Sequence, residues 1–368
     1  MIDRRLIQHF DWTLLLVVFL LMVVGLTTLY SAVSMGKTGT VQGIFYRQLT
    51  WYGIGLFLMF GVLLIDYRKA DSATYWIYGF AVLLLIAVLV VGKHVAGARR
   101  WLSIGPIAFQ PSELMKLVII LTLAKYYAKR VNTDGLTLMD LLPVFGITVL
   151  PFLLILKQPD LGTGLMILLI TGSMTLFAGI RRRVLILLIS IEILFMPLGW
   201  FVLKEYQRQR IRTFLAPETD PLGTGYHIIQ SKIAVGSGQL FGKGYMKGTQ
   251  NALSFLPEQH TDFIFSVLAE DWGLVGSLVL LMLFLFLIIW SLNIAHSCKD
   301  PYGIFLVYGI TSLFFWEVVI NIAMVLGLLP VVGIPLPFIS YGGTAVLVMM
   351  TSVGILANIS MRKYLFEG

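Results

Sequence analysis

LPEQHTDFIF, residues 256–265, marks the point where a long polar loop runs into the apolar stretch Asp262–Ala295. How that stretch is read decides the fold. About 20 predominantly apolar residues suffice to cross a hydrocarbon core, and this run exceeds what a straight crossing needs. Working outward, comparable runs fall at Trp12–Val33, Arg47–Ile65, Ser72–Gly92, Ser112–Ala128, Leu141–Leu156, Leu161–Gly179, Val184–Lys204, Pro301–Gly327 and Thr344–Met361, with the Leu141–Leu156 run short. The predicted fold class is an all-α polytopic membrane protein. It is one integral domain over residues 1–368, with ten transmembrane helices and a large extracytoplasmic loop, about 205–261, between helices 7 and 8.

Composition gives the same answer. Of the 368 residues, 58% are hydrophobic and 12% charged, with a mean hydropathy of +0.88. No soluble domain hides that much apolar surface, so the bilayer is its solvent. The Trp12–Val33 run is too long for a signal-peptide core and reads as a retained anchor. Lys and Arg in short loops set the orientation. With both termini cytoplasmic, Arg4, Arg5, Arg68, Lys69, Lys125, Lys129, Arg130, Arg181, Arg182, Arg183, Lys299, Arg362 and Lys363 lie inside. Only Lys37, Arg47, Lys93, Arg99, Arg100 and Lys157 then lie in short outside loops. This bias accounts for much of the net charge of +8, and no nucleic-acid partner is expected. Cys298 is the single cysteine, which excludes a disulfide framework and a thiolate metal site. His9, His94, His227, His260 and His296 are scattered without a HExxH pair, so a protein-built zinc site is not expected. The sequence also lacks a phosphate-binding glycine loop, so nothing supports energy coupling by ATP.

Three outside segments stand out. GKHVAGARRWLSIGPIAFQP, residues 92–111, reads as turns or a short re-entrant hairpin. GYHIIQSKIAV, Gly225–Val235, sets Ile228, Ile229, Ile233 and Ala234 on one helical face against Gln230, Ser231 and Lys232. That pattern predicts a short amphipathic helix on the membrane surface or the bundle. LLPVVGIPLPFISYGG, residues 328–343, carries three prolines and cannot form a regular helix. Broken backbone at membrane depth is tolerated beside a cavity or inside protein, so this segment is expected to line a pocket.

Asp262 is the leading candidate for chemistry. On a helix starting near it, Ser266, Ala269, Gly273 and Gly276 or Ser277 form a stripe of small residues. Such stripes face other helices, which turns Asp262 toward the bundle at its outer mouth. Two readings stand: an N-cap or first-turn acid favoured by the helix dipole, or a partly desolvated general base. His260, Glu258 and Glu270 read as structural or solvated. Outside cations, Arg99, Arg100, Lys157, Arg210, Arg212, Lys232, Lys243 and Lys247, fit an anionic lipid head, because Arg forks and Lys point charges suit diphosphate oxygens. Lys116 lies one turn from Glu113; an intramembrane Lys costs about 2.5–3.5 kcal/mol on insertion scales and needs a partner. Either the two neutralise each other or they serve the same cationic pocket. Pro159 and Asp160 form a helix start. Trp101 can stack on a sugar face or anchor at the interface. Glu317 and Asn321, four apart, read as buried polar contacts between helices.

These residues carry a resemblance over essentially the whole length. Arg100-Trp101, Gln110-Pro111-Ser112-Glu113, Lys116, Gln158–Thr163, Gln209–Leu215, Asp220-Pro221, Gly225-Tyr226, Gln230-Ser231, Leu256–Phe265, Pro335-Leu336-Pro337 and Ser340-Tyr341-Gly342-Gly343 occur in the order found in the SEDS family of peptidoglycan polymerases. Gly248-Thr249-Gln250 with Phe255–Gln259 resembles the elongation member RodA rather than the division member FtsW. Departures are Gln239, where a further glycine is frequent, and Asp271, where a second glutamate follows Glu270.

The resemblance implies a glycosyltransferase of the bacterial inner membrane that polymerises lipid II into glycan strands on the outer face, with Asp262 catalytic. It implies a class B penicillin-binding protein as partner, the elongation machinery around it, and membrane lipids. Arg100, Trp101, Glu113, Lys116, Lys157, Asp160, Arg210, Arg212 and Lys243 are the expected substrate-binding residues. Leaving-group charge is met by cations or by a bound divalent ion, Mg or Mn. A lipid II flippase and a non-catalytic scaffold for the penicillin-binding protein are the alternatives.

Overall fold

Long apolar runs become helices because in lipid every backbone donor and acceptor must be satisfied within its own segment. The computed structural model describes residues 10–34, 41–95, 98–104, 107–130, 135–220, 223–253 and 259–362. Arg4, Arg5, His9, Lys37, Pro221, Phe255, Leu256, Pro257, Glu258 and Lys363 lie outside them. The long helices are α1 (Trp12–Ser34), α2 (Val41–Leu64), α3 (Tyr67–Val91), α4 (Pro111–Ala128), α5 (Leu138–Lys157), α6 (Leu161–Ala178), α7 (Arg182–Val202), α11 (Ile264–Ser297), α12 (Pro301–Val325) and α13 (Gly343–Arg362). Among the described residues, eight helices are long and apolar enough to cross a membrane: α1, α2, α3, α5, α6, α11, α12 and α13.

The core lies where α4, α12 and α13 meet their neighbours. Almost every side chain of α4 from Pro111 to Tyr127 is buried, and α4 packs against α3, α6 and α12, while α13 packs against α2. The opposite faces of α2, α3 and α7 present Phe57, Trp76, Val90, Ile193 and Phe201 outward, as lipid-facing helices do.

Within residues 92–111 the described residues take the hairpin alternative rather than turns alone, with a third strand added. They form strands β1 (Lys93–Val95), β2 (Ala98–Ile104) and β3 (Ile107–Phe109) in an antiparallel order β1-β2-β3. Trp101 faces Lys93, and Leu102 faces Phe109. Strands this short, separated by glycines, look like turns because alternation has too few residues to register.

Between α7 and α11 lie α8 (Glu205–Leu215), a 3-10 turn (Pro217–Thr219), α9 (Thr224–Ser237) and α10 (Thr249–Ala252). In α9 the buried face is Ile228, Ser231 and Ala234, whereas Ile233 is exposed. The expected polar side is thus partly inward: the Ser231 hydroxyl donates to Val325 O (2.7 Å) and pairs with Ser266 (3.0 Å). The helix packs on α11 and α12, where a satisfied hydroxyl is tolerated.

The extra length of α11 is explained by a break. Gly273 has φ 66° and ψ −159°, a conformation in which a side chain is strained. Breaking there parts Glu270 O from Leu274 N and Asp271 O from Val275 N. Residues 239–244 supply all four substitutes: Lys243 N donates to Glu270 O (3.0 Å), Gly244 N to Asp271 O (3.1 Å), Leu274 N to Gln239 O (2.9 Å) and Val275 N to Leu240 O (3.1 Å).

Candidate active site

At one end of the bundle, seven elements converge on a cavity of about 450 Å³. The strand β2 supplies Arg100 and Trp101, the start of α4 supplies Gln110 and Glu113, and the start of α6 supplies Asp160 and Thr163. From α8 comes Arg210, and from the turn before α11 come Thr261 and Asp262. The non-helical segment 331–342 and the start of α13 close the wall with Val331, Val332, Gly333, Pro335, Tyr341 and Thr344.

Asp262 is not a helix cap. The first helical residue is Ile264, its cap position is Phe263, and no side-chain cap bond forms there. The Asp262 side chain is partly exposed and faces the cavity. Gly333, at φ 74°, lies so near that a Cβ there would stand 3.3 Å from Asp262 Oδ2. Its lack of a side chain lets the wall come up against the carboxylate.

Asp160 does cap a helix, with Pro159 ahead of it rather than inside the first turn. Its carboxylate accepts from Gln110 Nε2 (3.0 Å), Ser112 Oγ (3.1 Å), Thr163 Oγ1 (3.0 Å) and Thr163 N (3.4 Å). Arg100 is fixed beside it, donating from Nε to Gln158 O (3.4 Å) and from Nη2 to Pro159 O, with Nη1 3.8 Å from Asp160 Oδ1. Burial and repulsion from Arg100 push Arg210 below the ordinary arginine value, while Asp160 and Asp262 act in the opposite direction. Two guanidiniums that repel one another in a half-enclosed space form a receptor for an anion with several oxygens.

Six of the ten residues anticipated from sequence therefore line one cavity: Asp262, Arg100, Trp101, Glu113, Asp160 and Arg210. The other four lie elsewhere. Lys116 is buried behind Glu113, at 2.8 Å from Glu113 Oε2 and 2.6 Å from Glu317 Oε1. Lys157 is exposed. Arg212 is exposed and paired with Glu205 at 2.9 Å. Lys243 bonds Glu270 (2.7 Å) and Thr249 (2.7 Å) beside the α11 break. Asn321 and Ser340 were not anticipated as part of the site, yet both bond the backbone at Asp262 and Thr261.

The donors do not fit a protein-held divalent ion. Asp160 is saturated by four donors and Glu113 is paired with Lys116. Among the described residues, no three His, Cys, Asp or Glu side chains are grouped to hold a metal.

A family model described as a cell cycle protein, FtsW/RodA/SpoVE, matches residues 11–365. The chain belongs to this family. Among FtsW/RodA/SpoVE relatives, the peptidoglycan glycosyltransferase MrdB of Escherichia coli (strain K12) is 42% identical over 359 residues, covering 96% of this chain and 94% of MrdB. Among solved structures, Thermus thermophilus rod shape determining protein RodA matches with a TM-score of 0.71 at 29% identity, covering 96% of this chain and 98% of RodA. A chain from a peptidoglycan synthase complex, in work on coordination of polymerization and crosslinking, matches with a TM-score of 0.82 at 31% identity, covering 96% and 98%.

Proposed function

We propose that this chain is a peptidoglycan glycosyltransferase that polymerises lipid II in cell-wall elongation, with Asp262 as general base. The observation that carries this reading is the shared cavity: the Asp262 carboxylate, the Arg100 and Arg210 guanidiniums and the Trp101 indole face the same space. Asp262 takes the proton of the acceptor sugar 4-hydroxyl. The oxygen attacks the donor anomeric carbon from the face opposite the diphosphate, the carbon–oxygen bond to the diphosphate breaks, and the electron pair leaves on undecaprenyl diphosphate. The anomeric centre inverts. Arg100 and Arg210 meet the charge that grows on the leaving group, and Trp101 offers a flat face to a sugar ring.

In this reading the ten long helices cross the inner membrane, both termini are cytoplasmic, and the 205–261 loop and cavity lie on the outer face. A class B penicillin-binding protein binds alongside and supplies crosslinking. A flippase would need a polar route through the bundle. Glu113, Lys116 and Glu317, the residues available for one, are locked to each other, which supports the one-sided polymerase instead.

The test uses the purified chain with its cognate penicillin-binding protein and labelled lipid II. Glycan strands form with the wild type, and Asp262→Asn loses polymerisation while keeping its partner. Wild-type turnover by Asp262→Asn would sink the assignment. Translocation of lipid II in liposomes without polymerisation would establish the flippase.

A further inference from the structure

The three successive backbone carbonyls of residues 260–262 are each tied to a residue distant in sequence. His260 O accepts from Tyr341 N (2.9 Å), Thr261 O from the Ser340 hydroxyl (2.6 Å), and Asp262 O from Asn321 Nδ2 (2.9 Å). Both side-chain donors have a second bond into the opposite wall. Asn321 Nδ2 also donates to Ile334 O (2.7 Å), and Ser340 Oγ accepts from Leu336 N (2.8 Å). Asn321 is fully buried and Ser340 nearly so. Buried carbonyls must find partners in backbone, side chains or ordered water; here the partners are Tyr341 N and the Ser340 and Asn321 side chains, which join the 334–341 wall to the Asp262 turn.

The wall is itself braced from behind. Phe338 sits at φ 60°, a left-handed conformation costly for a side-chain-bearing residue and kept only when neighbours over-determine it. The Tyr52 hydroxyl donates to Phe338 O, and the buried Gln48 amide donates to Ser340 O (3.2 Å) and accepts from Gly342 N (3.3 Å). Asn321 stands one turn from Glu317 on α12, so the helix that anchors Lys116 also fixes the turn bearing Asp262.

We infer that Asn321 and Ser340 are positioning residues that hold the main chain of residues 260–262, and through it the Asp262 carboxylate, at a fixed place in the cavity. The inference rests on the reading of Asp262 as base. Neither residue is among those lining the cavity, so each acts through Asp262 and not on substrate. Displacing a reacting group by about 1 Å costs roughly a hundredfold in rate, so a loosened turn shows in kcat before KM.

The experiment uses the full chain with its penicillin-binding partner and lipid II, comparing Asn321→Leu, Ser340→Ala and Ser340→Thr. Asn321→Leu is expected to lower kcat by at least about tenfold, and Ser340→Ala by several fold, with KM for lipid II within about twofold. Ser340→Thr, which keeps the hydroxyl, returns most of the rate lost in Ser340→Ala. Backbone amides of residues 259–264 exchange faster with deuterated solvent in both weakened variants. Unchanged exchange would overturn the clamp whatever the rates. Faster exchange with wild-type kcat, or a Ser340→Thr as slow as Ser340→Ala, would overturn the positioning role. If Asn321→Leu fails to fold, the Ser340 pair decides alone. Wild-type turnover by Asp262→Asn in the same assay removes the base reading separately, because exchange reports on the clamp without any catalysis.

Discussion

Glu317 and Asp262 are both carboxylates of the same bundle, held in opposite ways. Glu317 is fully buried at 2.6 Å from Lys116, which Glu113 approaches from the other side at 2.8 Å. Asp262 is partly exposed, its backbone fixed by Asn321 and its side chain turned to a cavity shared with Arg100 and Arg210. A carboxylate in contact with its counter-charge has little left to give a substrate; its energy goes into holding α4 to α12. One that faces a cavity it shares with two guanidiniums can take up a proton from a substrate while the cations attend to an anion. Glu113 belongs to both settings, lining the cavity while pairing with Lys116.

The largest effect expected is on the cavity side. Asp262→Asn keeps shape and removes the base, so kcat for polymerisation drops by about 10²–10⁴, the range of general-base contributions. Its thermal unfolding stays close to wild type. A variant that lost stability in proportion to rate would erase the contrast between the two carboxylates.

The next effect is on the saturated side and is one of stability. Lys116→Met leaves Glu113 and Glu317 buried without their counter-charge, and stranding a buried charge costs about 3–5 kcal/mol. The expected outcome is a sharply lower melting temperature in detergent, or loss of folded protein. Adding Glu317→Gln to Lys116→Met recovers part of it, because one fewer charge is stranded. An unchanged melting temperature for Lys116→Met would show that the cluster does not brace the bundle.

Much of this contrast was visible in the sequence, and the missing part has one physical cause. Apolar length marked the helices, proline and glycine kept 328–343 out of helix, and the polar-to-apolar junction marked Asp262. Partner identity was what one-dimensional spacing left out. Asn321, four residues from Glu317, reads as a contact between helices, yet its partners are the main-chain oxygens of Asp262 and Ile334. Lys116 shows its i,i+3 partner Glu113 in the sequence, but not Glu317 on another helix. Lys243 reads as an outer cation for substrate, but the break at Gly273 draws its backbone and its ammonium to Glu270. That break was hidden because Gly273 also fits the helical stripe of small residues below Asp262.

Arg210 sharpens the cavity side at smaller scale. Burial and Arg100 together disfavour its charge, so an anion spanning both guanidiniums relieves a repulsion already present. A hydrogen bond to a charged group contributes about 1.5–3 kcal/mol. Arg210→Ala is therefore expected to lose roughly ten- to a hundredfold in kcat/KM for lipid II. Arg210→Lys recovers only part, because an ammonium cannot present the planar fork. Equal rates for wild type and Arg210→Ala would place the anion elsewhere.

Arg212, two residues along the same helix, is the smallest case and the control for the comparison. Its guanidinium is 2.9 Å from Glu205 and 5.9 Å from the centre of the Trp200 ring, and its side chain is 58% exposed. Arg210 turns to the cavity while Arg212 turns to solvent, as residues two apart on a helix must. An exposed ion pair contributes about 0–1 kcal/mol, so Arg212→Ala should change the melting temperature little and kcat/KM by less than about twofold. The pair of variants separates charge from position: both remove one cation from α8, and only the loss at Arg210 should reach the chemistry. A rate loss at Arg212 equal to that at Arg210 would mean that the helix supplies a diffuse positive field, and the cavity would lose its claim to a specific anion receptor.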